Sequence, residues 1–197
     1  MATIFMAGDS TMQQNDWRTY PQIGWGQAFA SCVDPLQHTV RNYARNGRST
    51  KSFIADGRLD WIEKEIQAGD FLLLQFGHND QKEEDASRFT EPFGEYQENL
   101  RKMSEVALKA KAYPVILTSV SRRLFGENGK IQSDIMGDHP EAARQLAEQM
   151  NIPLIDVCAF SVKKMEQLGE RKSLSLVMNF PENQYENYPE GKEDNTH

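Results

Sequence analysis

The 197-residue sequence contains only two cysteines, Cys32 and Cys158. That is too few for a disulfide framework or a cysteine-based zinc site, so both read as reduced, partly buried thiols. No apolar stretch approaches the ~18 residues a membrane helix requires. The start, Met1 to Gly8, is apolar but has no basic leading segment, so it reads as a first strand rather than a signal peptide. The chain as given therefore reads as cytoplasmic; a secreted protein trimmed of its signal would read the same. Basic residues number 22 against 29 acidic ones, a net charge of −7, and they are scattered. This argues against a nucleic-acid partner, which needs a concentrated basic face, and against docking on an anionic membrane. There is no internal repeat and no linker.

Hydrophobic residues make up 39% and charged residues 26% of the chain, ordinary values for one globular domain spanning residues 1–197. Apolar strand-like runs recur at Thr3–Ala7, Thr39–Ala44, Phe71–Phe76, Pro114–Val120 and Ile152–Val157. The third run is almost continuously apolar, as expected of a strand covered on both faces. Helical spacing occupies Gly24–Val33, Ser52–Gln67, Phe93–Ala112, Pro140–Gln149 and Phe160–Leu168. Strands alternating with helices imply a parallel sheet with helices on both faces. From Asn179 onward Asn, Glu, Pro, Tyr and Gly dominate, which reads as a loop or frayed tail.

Three polar motifs interrupt this pattern. Gly8-Asp9-Ser10-Thr11 follows the first strand and Gly77-His78-Asn79-Asp80 the third; Asp194-Asn195-Thr196-His197 comes last. Ligands bind beyond the carboxyl ends of strands in open parallel sheets, so Ser10 and Asn79 belong at one edge. A helix after Ser10 would aim backbone N–H groups at a developing oxyanion; the competing reading is that Asp9 and Ser10 cap a turn. The Asn79 amide is suited to donate to the same oxyanion, although Asn79 and Asp80 also fit helix capping. His78 fits a packed structural histidine equally well and is not assigned as the base. Gly47 allows close backbone approach to a ligand, or is a simple turn glycine. The three-residue spacing of Asp194 and His197 lets a carboxylate orient an imidazole, or marks a polar terminus with a stray histidine.

Taken in order, Gly8-Asp9-Ser10, Gly47, Gly77-His78-Asn79-Asp80 and Asp194-Asn195-Thr196-His197 resemble the four blocks of the SGNH/GDSL hydrolase superfamily. Gly24-Trp25-Gly26, the stretch Asn46–Phe53, Gly57–Asp60 and Gln75–Asp80 are similar to its rhamnogalacturonan acetylesterase branch. The resemblance implies a flavodoxin-like three-layer α/β/α sandwich on a five-stranded parallel sheet. It implies Ser10 as nucleophile, His197 as base and Asp194 as the acid that orients it. The oxyanion hole would comprise the N–H groups of Ser10 and Gly47 with the Asn79 side chain. The implied reaction is deacetylation of pectic polysaccharide, with no metal or organic cofactor. Superfamily members continue past the catalytic histidine into a closing helix on the sheet, which this chain is expected to lack.

Arg122 and Arg123, after the fourth strand, are candidates for holding galacturonate carboxylates, or serve surface solubility. Trp25 is a candidate sugar-stacking platform, or a core residue. Two further readings stay open. One is another carbohydrate or short-chain esterase or thioesterase with the same triad. The other is a non-catalytic flavodoxin-like binding module or truncated inactive form; the lack of a phosphate-cradling loop after the first strand weighs against the binding module.

Overall fold

The computed structural model describes residues 1–196. Five strands, β1 (Ala2–Gly8), β2 (His38–Asn42), β3 (Phe71–Gln75), β4 (Tyr113–Leu117) and β5 (Leu154–Ile155), form one sheet in the order β2-β1-β3-β4-β5. Every neighbouring pair is parallel, so each connection must cross over the sheet. Successive residues of a strand point to opposite faces, and this divides the core. Phe5, Ala7, Leu72, Leu74 and Ile116 enter one cluster, with Phe53, Leu59, Ile62, Leu100, Met103, Ala142 and Leu146. Those partners come from α2 (Thr50–Ala55), α3 (Arg58–Glu65), α4 (Gln97–Lys109) and α5 (His139–Met150). The intervening residues Met6, Leu73 and Leu117 face the other way, with Trp25, Phe29 and Val157 packed against them. These belong to α1 (Trp25–Phe29) and α6 (Val157–Ser173). The result is three layers.

The chain winds one way from β1 to β2 and the other way on to β3. The crevice at such a reversal, outside the carboxyl ends of β1 and β3, is where open parallel sheets bind ligands. The motifs containing Ser10 and Asn79 fall there.

Several expected boundaries move. The helix expected over 52–67 is two helices, because Gly57 takes φ +71° between them, a conformation open to glycine at little steric cost. The helix expected from Phe93 opens with a wide turn at Pro92–Tyr96 before α4 begins. The fifth strand keeps only two residues: the Asp156 side chain accepts from Ala159 N and starts α6 at Val157. That helix runs past Leu168 through a kink at Gly169. Cys158 is buried, as expected, but Cys32 is exposed.

Two corrections bear on the site. No helix starts directly after Ser10. The chain makes a single turn, closed by Gln13 N donating to Asp9 O at 3.1 Å, and α1 begins only at Trp25, whose N–H bonds Thr11 O at 2.7 Å. The segment after Asn179 is not a frayed tail. Its β6 (Asn179–Phe180) and β7 (Lys192–Glu193) pair antiparallel. Phe180 packs edge-on against Tyr185 and Tyr188, with centroids 4.7 and 5.8 Å away. Asn187 Nδ2 donates to Trp17 O at 2.7 Å and Tyr20 O at 3.0 Å. Aromatic packing and side-chain bonds to a distant loop supply the stability that local propensity lacks. Among the described residues no helix is long and apolar enough to cross a membrane.

Candidate active site

The turn after β1 is built by Asp9. Its Oδ1 accepts from Thr11 N at 2.9 Å and Thr11 Oγ1 at 2.8 Å, so residues 9–11 are fixed as a tight polar turn. Ser10 sits within it, 5% exposed.

The loop after β2 is bound to that turn. Arg45 N donates to Gly8 O at 3.0 Å, and Asn46 N donates to Gln13 Oε1. Gly47 follows at φ +75°, where a side chain would be strained. The third loop joins on the far side: Asn79 Nδ2 donates to Arg48 O at 3.1 Å. Arg88 Nη1 donates to Asn79 Oδ1 at 3.3 Å, which fixes the amide with its NH₂ directed to the Gly47–Arg48 turn. The three loops carrying Ser10, Gly47 and Asn79 are therefore stitched together by hydrogen bonds.

A buried polar layer lies among these loops. Gln75, wholly buried at the end of β3, accepts from Trp25 Nε1 at 2.6 Å and from Thr11 Oγ1 at 3.1 Å, and donates to Thr118 O at 3.1 Å. His78 is buried, with Nδ1 3.6 Å from Asp9 Oδ2. Burial opposes ionisation of Asp9, but His78 and the Thr11 donors outweigh it and hold the carboxyl below its ordinary range. Asp80 Oδ1 accepts from Thr50 N at 3.0 Å, Thr50 Oγ1 at 2.6 Å and Thr90 Oγ1 at 2.8 Å. Asp80 thus caps α2 from another segment. Its complete burial still dominates, pushing the carboxyl up to about 7.

Asp194 directly follows β7. Its N–H donates to Met178 O at 3.0 Å, and its Oδ1 accepts from Thr196 N at 2.8 Å. Asn195 O accepts from Arg123 N at 2.7 Å. Next along the chain, Arg122 Nη2 donates to His78 O at 3.2 Å. This relay, from Asn195 through Arg122–Arg123 to His78, puts the 194–196 segment at the same sheet edge as Asn79. His197 lies outside the described residues.

One expected substrate contact is corrected. Arg123 is 7% exposed. Its guanidinium donates to Ser173 Oγ at 2.9 Å, to Asn195 Oδ1 at 3.4 Å and to Glu170 O, and lies over the Phe125 ring. A cation so occupied fastens the terminal segment rather than holding a uronate. Trp25 packs edge-on with Phe29 against the second core cluster, its indole N–H consumed by Gln75. It is half-buried, packed on the core. Arg122 keeps a half-buried position on the active edge.

Sequence reasoning missed Arg88, Gln75 and the partners of Asp80. A lone Gln ending an apolar strand was a readable signal for Gln75. Nothing local marks Arg88, Thr50 or Thr90. Among the described residues no cluster of three or more metal-ligating side chains forms.

Residues 6–176 match the model of the GDSL-like lipase/acylhydrolase family, and the chain belongs to that family. It is 42% identical over 194 residues to a Bacillus subtilis (strain 168) protein named rhamnogalacturonan acetylesterase RhgT, covering 98% of this chain and 81% of that one. Its fold is similar to the crystal structure of the Bacillus subtilis YxiM protein, with a TM-score of 0.77 at 28% identity. That match covers 90% of this chain and 49% of YxiM, so the chain spans about half the length of that relative. Axe2, an acetylxylan esterase from Geobacillus stearothermophilus, shares the fold alone, with a TM-score of 0.63 at 16% identity over 86% of this chain and 82% of Axe2.

Proposed function

We propose that this protein is a serine esterase that removes acetyl groups from pectic polysaccharide of the rhamnogalacturonan type. The observation that carries the reading is the hydrogen-bonded convergence of the Ser10, Gly47 and Asn79 loops at the β1/β3 reversal. The 42% identity to RhgT over nearly the whole chain supports the substrate class.

In the mechanism, Ser10 Oγ attacks the acetyl carbonyl while His197 accepts its proton. Asp194 orients the imidazole and stabilises its charged form. The developing oxyanion is held by the N–H groups of Ser10 and Gly47 and by Asn79 Nδ2. Arg88 holds Asn79 Oδ1, so the amide does not have to reorient as charge forms. The imidazolium returns its proton to the departing sugar hydroxyl. Water, deprotonated by His197, then attacks the acetyl-serine; acetate leaves and the proton passes back to Ser10. Arg122, on the active edge, is assigned to a uronate carboxylate of the substrate.

The test is acetate release from acetylated rhamnogalacturonan by wild type and Ser10→Ala. Release by wild type, reduced by several orders of magnitude in the variant, is expected. Full activity in Ser10→Ala, or no release by wild type that cleaves 4-nitrophenyl acetate, overturns the assignment of nucleophile or of substrate respectively.

A further inference from the structure

A concave feature lies outside the reacting centre. A cleft of about 550 Å³ opens between Pro21–Ile23, on the loop after β1, and the segment from Leu174 to Tyr185. A cavity of this size accommodates a sugar-sized group. Its lining includes none of Ser10, Gly47 or Asn79, so it is separate from the place where the ester reacts.

The chemistry of the lining is specific. It contains no charged side chain. Half of it is apolar, from Pro21, Ile23 and the Leu174–Met178 stretch; the rest offers the amides of Gln22, Asn179 and Gln184, the Ser175 hydroxyl and the aromatic side chains of Phe180 and Tyr185. Amides both donate and accept, which suits vicinal hydroxyls. Aromatic rings suit the apolar face of a sugar ring, and a carboxylate finds no counter-charge.

Both walls are fixed in advance. Asn187 holds the carbonyls of Trp17 and Tyr20, Tyr188 OH donates to Thr19 O at 3.3 Å, and Tyr20 packs edge-on against Tyr185 with centroids 5.8 Å apart. Such preorganisation reduces the entropy lost on binding. The cleft also adjoins the candidate triad, because Met178, in its lining, accepts through its carbonyl the N–H of Asp194.

We infer that this cleft is a subsite for a neutral sugar residue of the substrate chain, displaced from the acetylated one. The inference rests on the polysaccharide reading above. It divides recognition between Arg122, for the acidic residue, and the cleft, for the neutral one.

The experiment measures, by calorimetry, binding of a deacetylated rhamnogalacturonan oligosaccharide to wild type, to the double variant Gln22→Ala, Gln184→Ala and to the cleft-filling Ser175→Trp. Thermal unfolding monitors the fold of each. Binding about tenfold weaker in the double variant, and at least as weak in Ser175→Trp, is expected. Equal binding by all three proteins, or no binding by wild type, overturns the subsite. A homogalacturonan oligosaccharide, which offers no neutral residue, is expected to bind all three alike; parallel weakening overturns the neutral-sugar assignment. Acetate release from the acetylated polymer is scored separately. Cleft-dependent binding without release sustains the subsite and sinks the esterase reading, and release with cleft-independent binding does the reverse.

Discussion

Asp9 Oδ2 faces His78 Nδ1 across 3.6 Å, with both side chains buried. The separation exceeds hydrogen-bond range, so the coupling is electrostatic. Asp9 precedes the candidate nucleophile and His78 precedes the candidate oxyanion donor, so the pair holds two loops that must keep register for catalysis. Asp9→Asn is expected to lower kcat on a small acetyl ester about tenfold with KM unchanged, since alignment rather than binding is lost. Unchanged kcat refutes this. The carboxyl is held below its ordinary range, so its contribution to stability is complete above about pH 4 and is lost as pH falls through the folded value. Wild type should therefore lose its thermal advantage over Asp9→Asn in acid.

Asn79→Ala is expected to lower kcat by about 10²–10³-fold, as for removal of one oxyanion donor. Arg88→Ala leaves the amide in place but frees its orientation. Its effect should be smaller, about tenfold or less. Equal losses in the two variants, measured on 4-nitrophenyl acetate, would contradict a supporting role for Arg88.

Asp80 gives a stability prediction of opposite sign. Burial pushes its carboxyl up to about 7, so the folded protein holds a proton that the unfolded chain releases near pH 4. This contribution is complete below about pH 4 and disappears as pH rises through about 7, amounting to at most about 4 kcal/mol. Asp80→Asn keeps an acceptor for Thr50 and Thr90 without the titration. Its melting temperature, relative to wild type, should rise from pH 4 to pH 8; a constant difference across that range would refute the buried titration.

Arg123→Ala removes a buried cation that ties α6 to Asn195. A loss of about 3 kcal/mol is expected, with faster proteolysis between residues 179 and 196, because the vacated acceptors are left unpaired. Arg122→Ala should instead leave the melting temperature near that of wild type and raise KM on the acidic polymer. If the two changes act alike, the structural distinction between the neighbouring arginines fails.

The alternation of strands and helices was legible in the chain because period-2 and period-3.6 apolar patterns are local. The positions of Ser10 and Asn79 were legible for a related reason: polar motifs that directly follow apolar strands of a parallel sheet must lie at its carboxyl edge. The order of the blocks identified the family before any contact was known. The roles of Arg122, Arg123 and Trp25 were not legible, since a cation or an indole is defined by its partners. Arg123 finds Glu170, Ser173 and Asn195 far away in sequence, and Trp25 finds Gln75. The same holds for the final segment. Its composition reads as loop because its order comes from Tyr20, Trp17 and Thr19 far earlier in the chain. Sequence by itself determined the alternation of the main strands and helices and the order of the polar motifs, through short-range periodicity and motif spacing. Only the tertiary structure decided which charges and rings are spent on holding the fold and which are left for a ligand, because that division depends on contacts between residues distant in the chain.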